Sequence, residues 1–176
     1  TSTHRALEEA VTMLEGGYET RLAPSGLGAV NASILAFCEA GDSVLVTDAV
    51  YDPVRKFCDR FLKRFGVDTV YYDPLIGEDI ESLVSERTKV ILAESPGSLT
   101  FEVQDLPALA RVARKTGAKL IVDNTWSAGV YLKPIALGAA VSVQSGPKSL
   151  SGHAECLIGT ITSADEATAK TIFNVL

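Results

Sequence analysis

Apolar residues in this chain come in short unbroken runs. Val44-Leu45-Val46, within Ser43 to Thr47, is one; Val90-Ile91-Leu92-Ala93 and Leu120-Ile121-Val122 are two more. A strand with one wet face alternates apolar and polar residues. An unbroken run of this length means burial on both faces, which is the mark of a parallel sheet covered by helices on each side. Between the runs the apolar spacing turns helical. Leu7, Ala10, Val11 and Leu14 share a face, closed by Gly16-Gly17. An extended piece, Thr20 to Ala23, meets Pro24-Ser25-Gly26, and Val30, Ile34, Leu35 and Cys38 mark a second helix. Asp52 as N-cap and Pro53 at the first helical position predict a third, with Val54, Phe57, Cys58, Phe61, Leu62 and Phe65 as its inner stripe. Asp105 caps a fourth, with Leu106, Leu109, Val112 and Ala113 inward. Further strands are expected at Thr69–Tyr72, Val141–Gln144 and Leu157–Thr162. A short helix falls within Gly77–Arg87 and a last one starts near Asp165. The alternation predicts an α/β fold: a mostly parallel sheet with helices on both faces.

The 176 residues suit a single domain, and 47% hydrophobic content is enough for a full core. A net charge of -6 without a basic run argues against a nucleic-acid partner and against an anionic membrane surface. No apolar stretch approaches the roughly 20 residues of a membrane span. Cys38, Cys58 and Cys156 are odd in number and widely spaced, and only His4 and His153 could join them. No disulfide framework and no metal site is expected, and a reducing, cytoplasmic setting fits.

In open α/β sheets ligands bind beyond the carboxyl ends of the strands. Those ends carry Ser25-Gly26-Leu27-Gly28, then Asp48 and Tyr51, then Glu94, Ser95 and Ser98. Asp123-Asn124-Thr125 and Ser145-Gly146-Pro147-Lys148 follow. The glycine-rich turn leads into a helix, whose free N–H groups and positive dipole end suit a phosphate. Gly26-Leu27-Gly28 with Asp48 also imitates a dinucleotide fingerprint, but Asn31 stands where its third glycine belongs. Lys148 is either a solvated charge or an amine held beside an apolar wall, able to form a Schiff base. A lysine, an acid and a phosphate cradle are the set that pyridoxal phosphate needs. In that set the lysine would take the aldehyde carbon. Asp123, which closes its strand as a helix cap, a metal or sugar ligand or the partner of a buried cation, would keep the pyridine nitrogen protonated, and Tyr51, otherwise a buried aromatic before a helix cap, would stack on the ring.

These residues resemble the Cys/Met-metabolism branch of the fold-type I pyridoxal-phosphate enzymes. The likeness runs from Thr3-His4 through Leu14-Glu15-Gly16-Gly17, Ser25-Gly26 and Ala40-Gly41-Asp42 to Asp123-Asn124-Thr125, Lys148, Gly152-His153 and Ile158-Gly159. Asp73-Pro74-Leu75-Ile76-Gly77, Glu94-Ser95-Pro96-Gly97-Ser98 and Trp126 are most similar to the cystathionine β-lyase group. Relatives of γ type tend to carry Asn at the place of Ser98 and Phe at that of Trp126. The resemblance implies the aspartate-aminotransferase-like large domain over residues 1–176, with an N-terminal arm and a C-terminal small domain lying outside it. It implies that Lys148 is the covalent lysine and Cα base, and that Tyr51 stacks on the ring and assists the reaction. Asp123 is the partner of the pyridine nitrogen, and Gly26, Leu27 and Ser145 hold the phosphate. It further implies β-elimination of a small amino-acid thioether, in a cytoplasmic homotetramer. The alternatives are a γ-synthase, γ-lyase or O-acylhomoserine sulfhydrylase of the same family, or a domain that folds without catalysing. Two departures stand out. Pro147 and Ser149 flank Lys148 where relatives have Thr and Tyr, and Ala154-Glu155 replaces Ser-Asp. Pro147 removes a hydroxyl and a backbone donor, and is expected to disfavour helical geometry at Gly146.

Overall fold

The computed structural model describes residues 1–176. Seven strands make one sheet: β1 (Glu19–Ala23), β2 (Ser43–Thr47), β3 (Asp68–Tyr72), β4 (Thr88–Glu94), β5 (Lys119–Asp123), β6 (Val141–Ser145) and β7 (Gly159–Ser163). Their order is β1-β7-β6-β5-β4-β2-β3. The pairs β2–β3, β2–β4, β4–β5 and β5–β6 are parallel, and only β7 runs against both its neighbours. The unbroken apolar runs occupy β2, β4 and β5 in the middle of this order, where both faces are covered. The edge strand β3 alternates instead, Asp68 and Val70 exposed and Thr69 and Tyr71 half-buried, before it ends at the buried Tyr72. Strand β7 begins at Gly159 rather than Leu157, whose side chain is exposed.

The helices lie on both faces, as the sequence predicts. One face packs α2 (Gly26–Leu35), α3 (Asp52–Lys56) and α6 (Glu166–Phe173) through Val30, Ile34, Val54, Cys58, Leu62 and Ile172. The other packs a 3-10 segment (Gly77–Leu83) and α4 (Leu106–Thr116) through Ile80, Leu106, Leu109 and Val112. Each such side chain, removed fully from water, contributes about 1.5–3 kcal/mol. Two further helices are α1 (Ser2–Glu15) and the four-residue α5 (Gly146–Ser149).

Three local expectations need correction. The N-cap of α3 is Tyr51, without a side-chain cap bond, so Asp52 and Pro53 are its first two residues. Helix α3 runs on into a π-helical turn, Phe57–Leu62. Val54, Cys58 and Leu62 face inward there, while Phe61 and Phe65 are 43% and 55% exposed. Phe57, partly buried against the core, starts a stack that runs outward through Phe61 to Phe65, with centroids 5.2 and 4.6 Å apart. Helix α2 ends at Leu35, which is exposed, so Cys38 lies beyond it.

Candidate active site

Strands β4, β5, β6 and β1 all end at the same edge. Register fixes how. Glu94 of β4 is the partner of Asp123 of β5. Gly159 of β7 is the partner of both Ser145 of β6 and Ala23 of β1. A Cβ on Gly159 would stand 2.2 Å from the Ser25 carbonyl oxygen, so only glycine lets the exit of β1 lie against the sheet. That approach brings the start of α2 onto the end of β6. A Cβ on Gly26 would fall 2.4 Å from the Ser145 Cβ and 2.8 Å from its Cα.

A cavity of about 520 Å³ opens over this edge, a volume within the range of small-molecule sites. Gly26, Leu27, Tyr51, Asp123, Ser145 and Lys148, the six residues singled out in the sequence, all line it. At one end, Ser25 caps α2 by accepting from the Gly28 N–H (3.0 Å). The N–H groups of Gly26 and Leu27, first in the helix, have no intrahelical carbonyl to reach. The Ser145 hydroxyl stands beside them and accepts from Lys148 Nζ at 3.2 Å. At the other end, the Thr125 N–H donates to Asp123 Oδ1 (2.9 Å). Burial raises the Asp123 carboxyl above its ordinary value, against the opposing bonds from Thr125 and the charge of Lys148. Lys148 Nζ lies 5.7 Å from the centroid of the half-exposed Tyr51 ring.

Helical geometry at Gly146 survives Pro147. Gly146 opens α5, and its N–H donates to the Ile158 carbonyl at 2.9 Å. The proline is the second residue of that helix, where no intrahelical partner for an N–H exists, and Gly146 lacks the Cβ that the ring would strike. Asp48, the acid of the dinucleotide reading, is exposed, ion-paired with Arg55 at 2.6 Å, and not part of the cavity wall.

Two residues at the site escaped the sequence assignment. Glu94 faces the cavity and accepts the Tyr51 N–H (2.8 Å). Burial first, and then the charge of Asp123, push its carboxyl up. Thr125 ties the exits of β5 and β6: its hydroxyl accepts the Ser145 N–H (2.9 Å) and its carbonyl accepts the Ser149 hydroxyl (3.0 Å). Both stand just past strand ends, the available signal, but the pairing of β4 with β5 that makes Glu94 a neighbour of Asp123 is a tertiary fact.

The family model described as Cys/Met metabolism PLP-dependent enzyme matches residues 1–175. The chain belongs to this family. Similar relatives include a putative cystathionine beta-lyase of Saccharomyces cerevisiae, 51% identical over 91% of this chain, and the cystathionine beta-lyase of Escherichia coli, 46% identical over 91%. The cystathionine gamma-lyase of Bacillus subtilis is 34% identical over 93%. The chain spans 47%, 41% and 43% of the lengths of these three relatives, less than half of each.

The family's cofactor, pyridoxal phosphate, suits the cavity. The close approach of Gly26 to Ser145 sets the first N–H groups of α2 beside a hydroxyl, neutral donors of the kind a phosphate takes; the Lys148 amine reaches that hydroxyl, and the Asp123 carboxyl lines the same cavity. No helix is long and apolar enough to cross a membrane.

Proposed function

We propose that residues 1–176 form the cofactor-binding large domain of a carbon–sulfur lyase that cleaves cystathionine by β-elimination. The observation that carries this reading is the single cavity in which Lys148, Asp123 and the Gly26–Leu27–Ser145 donors converge. Relatives named for β-lyase activity at 46% and 51% identity, against 34% for a γ-lyase, favour β- over γ-elimination.

The N–H groups of Gly26 and Leu27 and the Ser145 hydroxyl would hold the phosphate, with the α2 dipole favouring its charge. Asp123, oriented by Thr125, would be the proton partner of the ring nitrogen. Tyr51, its backbone anchored on Glu94, would cover the ring face. Pyridoxal phosphate, when bound, supplies an electron sink for negative charge at the substrate Cα. Lys148 would be the residue that holds the cofactor's aldehyde carbon and, with its Nζ free, the base that takes the substrate's Cα proton. The Cβ–S bond then breaks, and sulfur leaves with its electron pair and takes up a proton as homocysteine. One water converts the remaining three-carbon fragment to pyruvate and ammonia.

Exposed Leu99, Phe101, Trp126 and Leu157 rim the mouth of the cavity. Such a rim favours cover by further parts of the protein or by a second copy, in keeping with a homotetramer. Three free thiols, at Cys38, Cys58 and Cys156, favour the reducing cytoplasm.

The test is turnover of L-cystathionine by the full-length protein loaded with pyridoxal phosphate. Pyruvate and homocysteine in equal amounts are expected. Appearance of 2-oxobutyrate and cysteine would replace the reading with γ-elimination, and absence of any keto acid would overturn it.

A further inference from the structure

We propose that Glu15 is a positioning residue for the cofactor site, acting through the two strands that carry Asp123 and Ser145. It sits at the end of α1, on the far side of these strand exits from the cavity, and is fully buried. Its carboxyl accepts from Asn124 Nδ2 with both oxygens, at 3.3 Å each, and from Gln144 Nε2 with Oε1. Asn124 directly follows Asp123 at the exit of β5, and Gln144 directly precedes Ser145 at the end of β6. One carboxyl therefore holds the neighbours of the ring-nitrogen acid and of the phosphate hydroxyl at a fixed separation.

Three observations indicate that this arrangement is built. Burial pushes the Glu15 carboxyl up, against the bonds from Gln144 and Asn124, so placing it here carries a cost that a leucine would avoid. The chain closes tightly over it: a Cβ on Gly129 would stand 3.2 Å from the Glu15 Cδ. The side-chain oxygens of Asn124 and Gln144 have no hydrogen-bond partner. Both amides thus spend their donors on Glu15, with one further bond from Asn124 Nδ2 to the Leu132 carbonyl (3.1 Å). Lys133, whose charge acts on the carboxyl, forms no ion pair with it and donates to the Leu14 carbonyl (2.5 Å). The bond from the Ser145 N–H to the Thr125 hydroxyl locks the same two exits on the cavity side. Glu15 locks them from behind.

This inference rests on the pyridoxal-phosphate reading of the site and assigns one arm of the lock to each end of the cofactor. The test uses the full-length protein and cuts the arms separately. Gln144→Ala releases β6. It is expected to weaken pyridoxal phosphate about tenfold while leaving pyridoxal, which has no phosphate, nearly unchanged. Asn124→Ala releases β5. It is expected to weaken both ligands alike and to shift the pH midpoint of the bound cofactor's visible absorbance, since Asp123 governs the proton on the ring nitrogen. Glu15→Gln keeps the shape and one acceptor oxygen, and is expected to give both effects in smaller measure. Val11→Ala, a buried position on the same helix, is the control for lost stability. It should lower the melting temperature and move neither readout. The same non-selective weakening in every variant, or unchanged binding in Gln144→Ala and Asn124→Ala, overturns the positioning role. An unsubstituted protein that takes no cofactor on Lys148 overturns the functional reading, and this one with it.

Discussion

The two ends of the cavity are made of different materials. The end proposed for the phosphate consists of the Gly26 and Leu27 N–H groups and one hydroxyl, all neutral, with backbone pressed together at Gly26 and Gly159. The end proposed for the ring consists of Asp123 and Glu94 beside the half-exposed Tyr51; Asp123 accepts the Thr125 N–H, Glu94 accepts the Tyr51 N–H, and Lys148 bridges toward the other end through Ser145. Shape specifies the first and charge the second. The phosphate end has no room for one added carbon but nothing in it titrates near neutrality. The ring end accepts isosteric replacements and answers to pH.

Substitutions can break this contrast, and the largest effect belongs to Gly26→Ala. Its methyl would meet Ser145 at 2.4 Å, with backbone Cα at 2.8 Å behind it. Overpacking of this kind costs about 1–3 kcal/mol in urea unfolding. Displacing the cradle by about 1 Å should weaken pyridoxal phosphate binding by about 100-fold, read by fluorescence titration. Asp123→Asn comes next. It preserves the acceptor for the Thr125 N–H, so the melting temperature should hold, while steady-state β-elimination should fall by about 100-fold.

Glu94→Gln separates charge from shape. The Glu94 carboxyl is raised by burial and then by the charge of Asp123. A folded-state pKa above the unfolded value of about 4.3 means that the protonated form favours the fold. That stability is full below the unfolded value and is lost as pH rises through the raised one. Asp123 and Glu15 shift in the same direction. Melting of the cofactor-free protein should therefore fall as pH rises from about 4 to 9. Glu94→Gln should flatten that slope while its amide oxygen still accepts the Tyr51 N–H. An unchanged slope would mean that Glu94 is not among the groups responsible. Leu27→Ala is the smallest. The cavity uses the backbone donor of Leu27 rather than its side chain, so affinity for pyridoxal phosphate should stay within about threefold. A larger loss would show the phosphate end to depend on side-chain packing.

The sequence foretells the middle of the sheet well because β2, β4 and β5 are buried on both faces, and continuous apolar runs have few other uses. It finds Val54, Phe57, Cys58 and Leu62 on the inner face after Asp52 but wrongly adds Phe61 and Phe65, because a π-helical turn breaks the 3.6-residue phase. The turn into α2 is legible too, since a glycine-rich segment entering a helix behind a serine cap is a local pattern. Glu94 and Glu15 are not. Glu94 matters because β4 lies beside β5, and strand order is a long-range property. Glu15 falls four residues after Val11, on the buried face of α1, where an acid breaks the apolar pattern. That break is visible in the sequence, but its partners lie more than a hundred residues away.

The claim that one cavity assembles both ends around a single reactive amine has a direct test. The protein is mixed with pyridoxal phosphate, reduced with borohydride, digested and mapped by mass spectrometry. One equivalent of label confined to Lys148 is expected, lost in Lys148→Ala and weakened in Gly26→Ala. Label scattered over surface lysines, or no label, would contradict the assembled site.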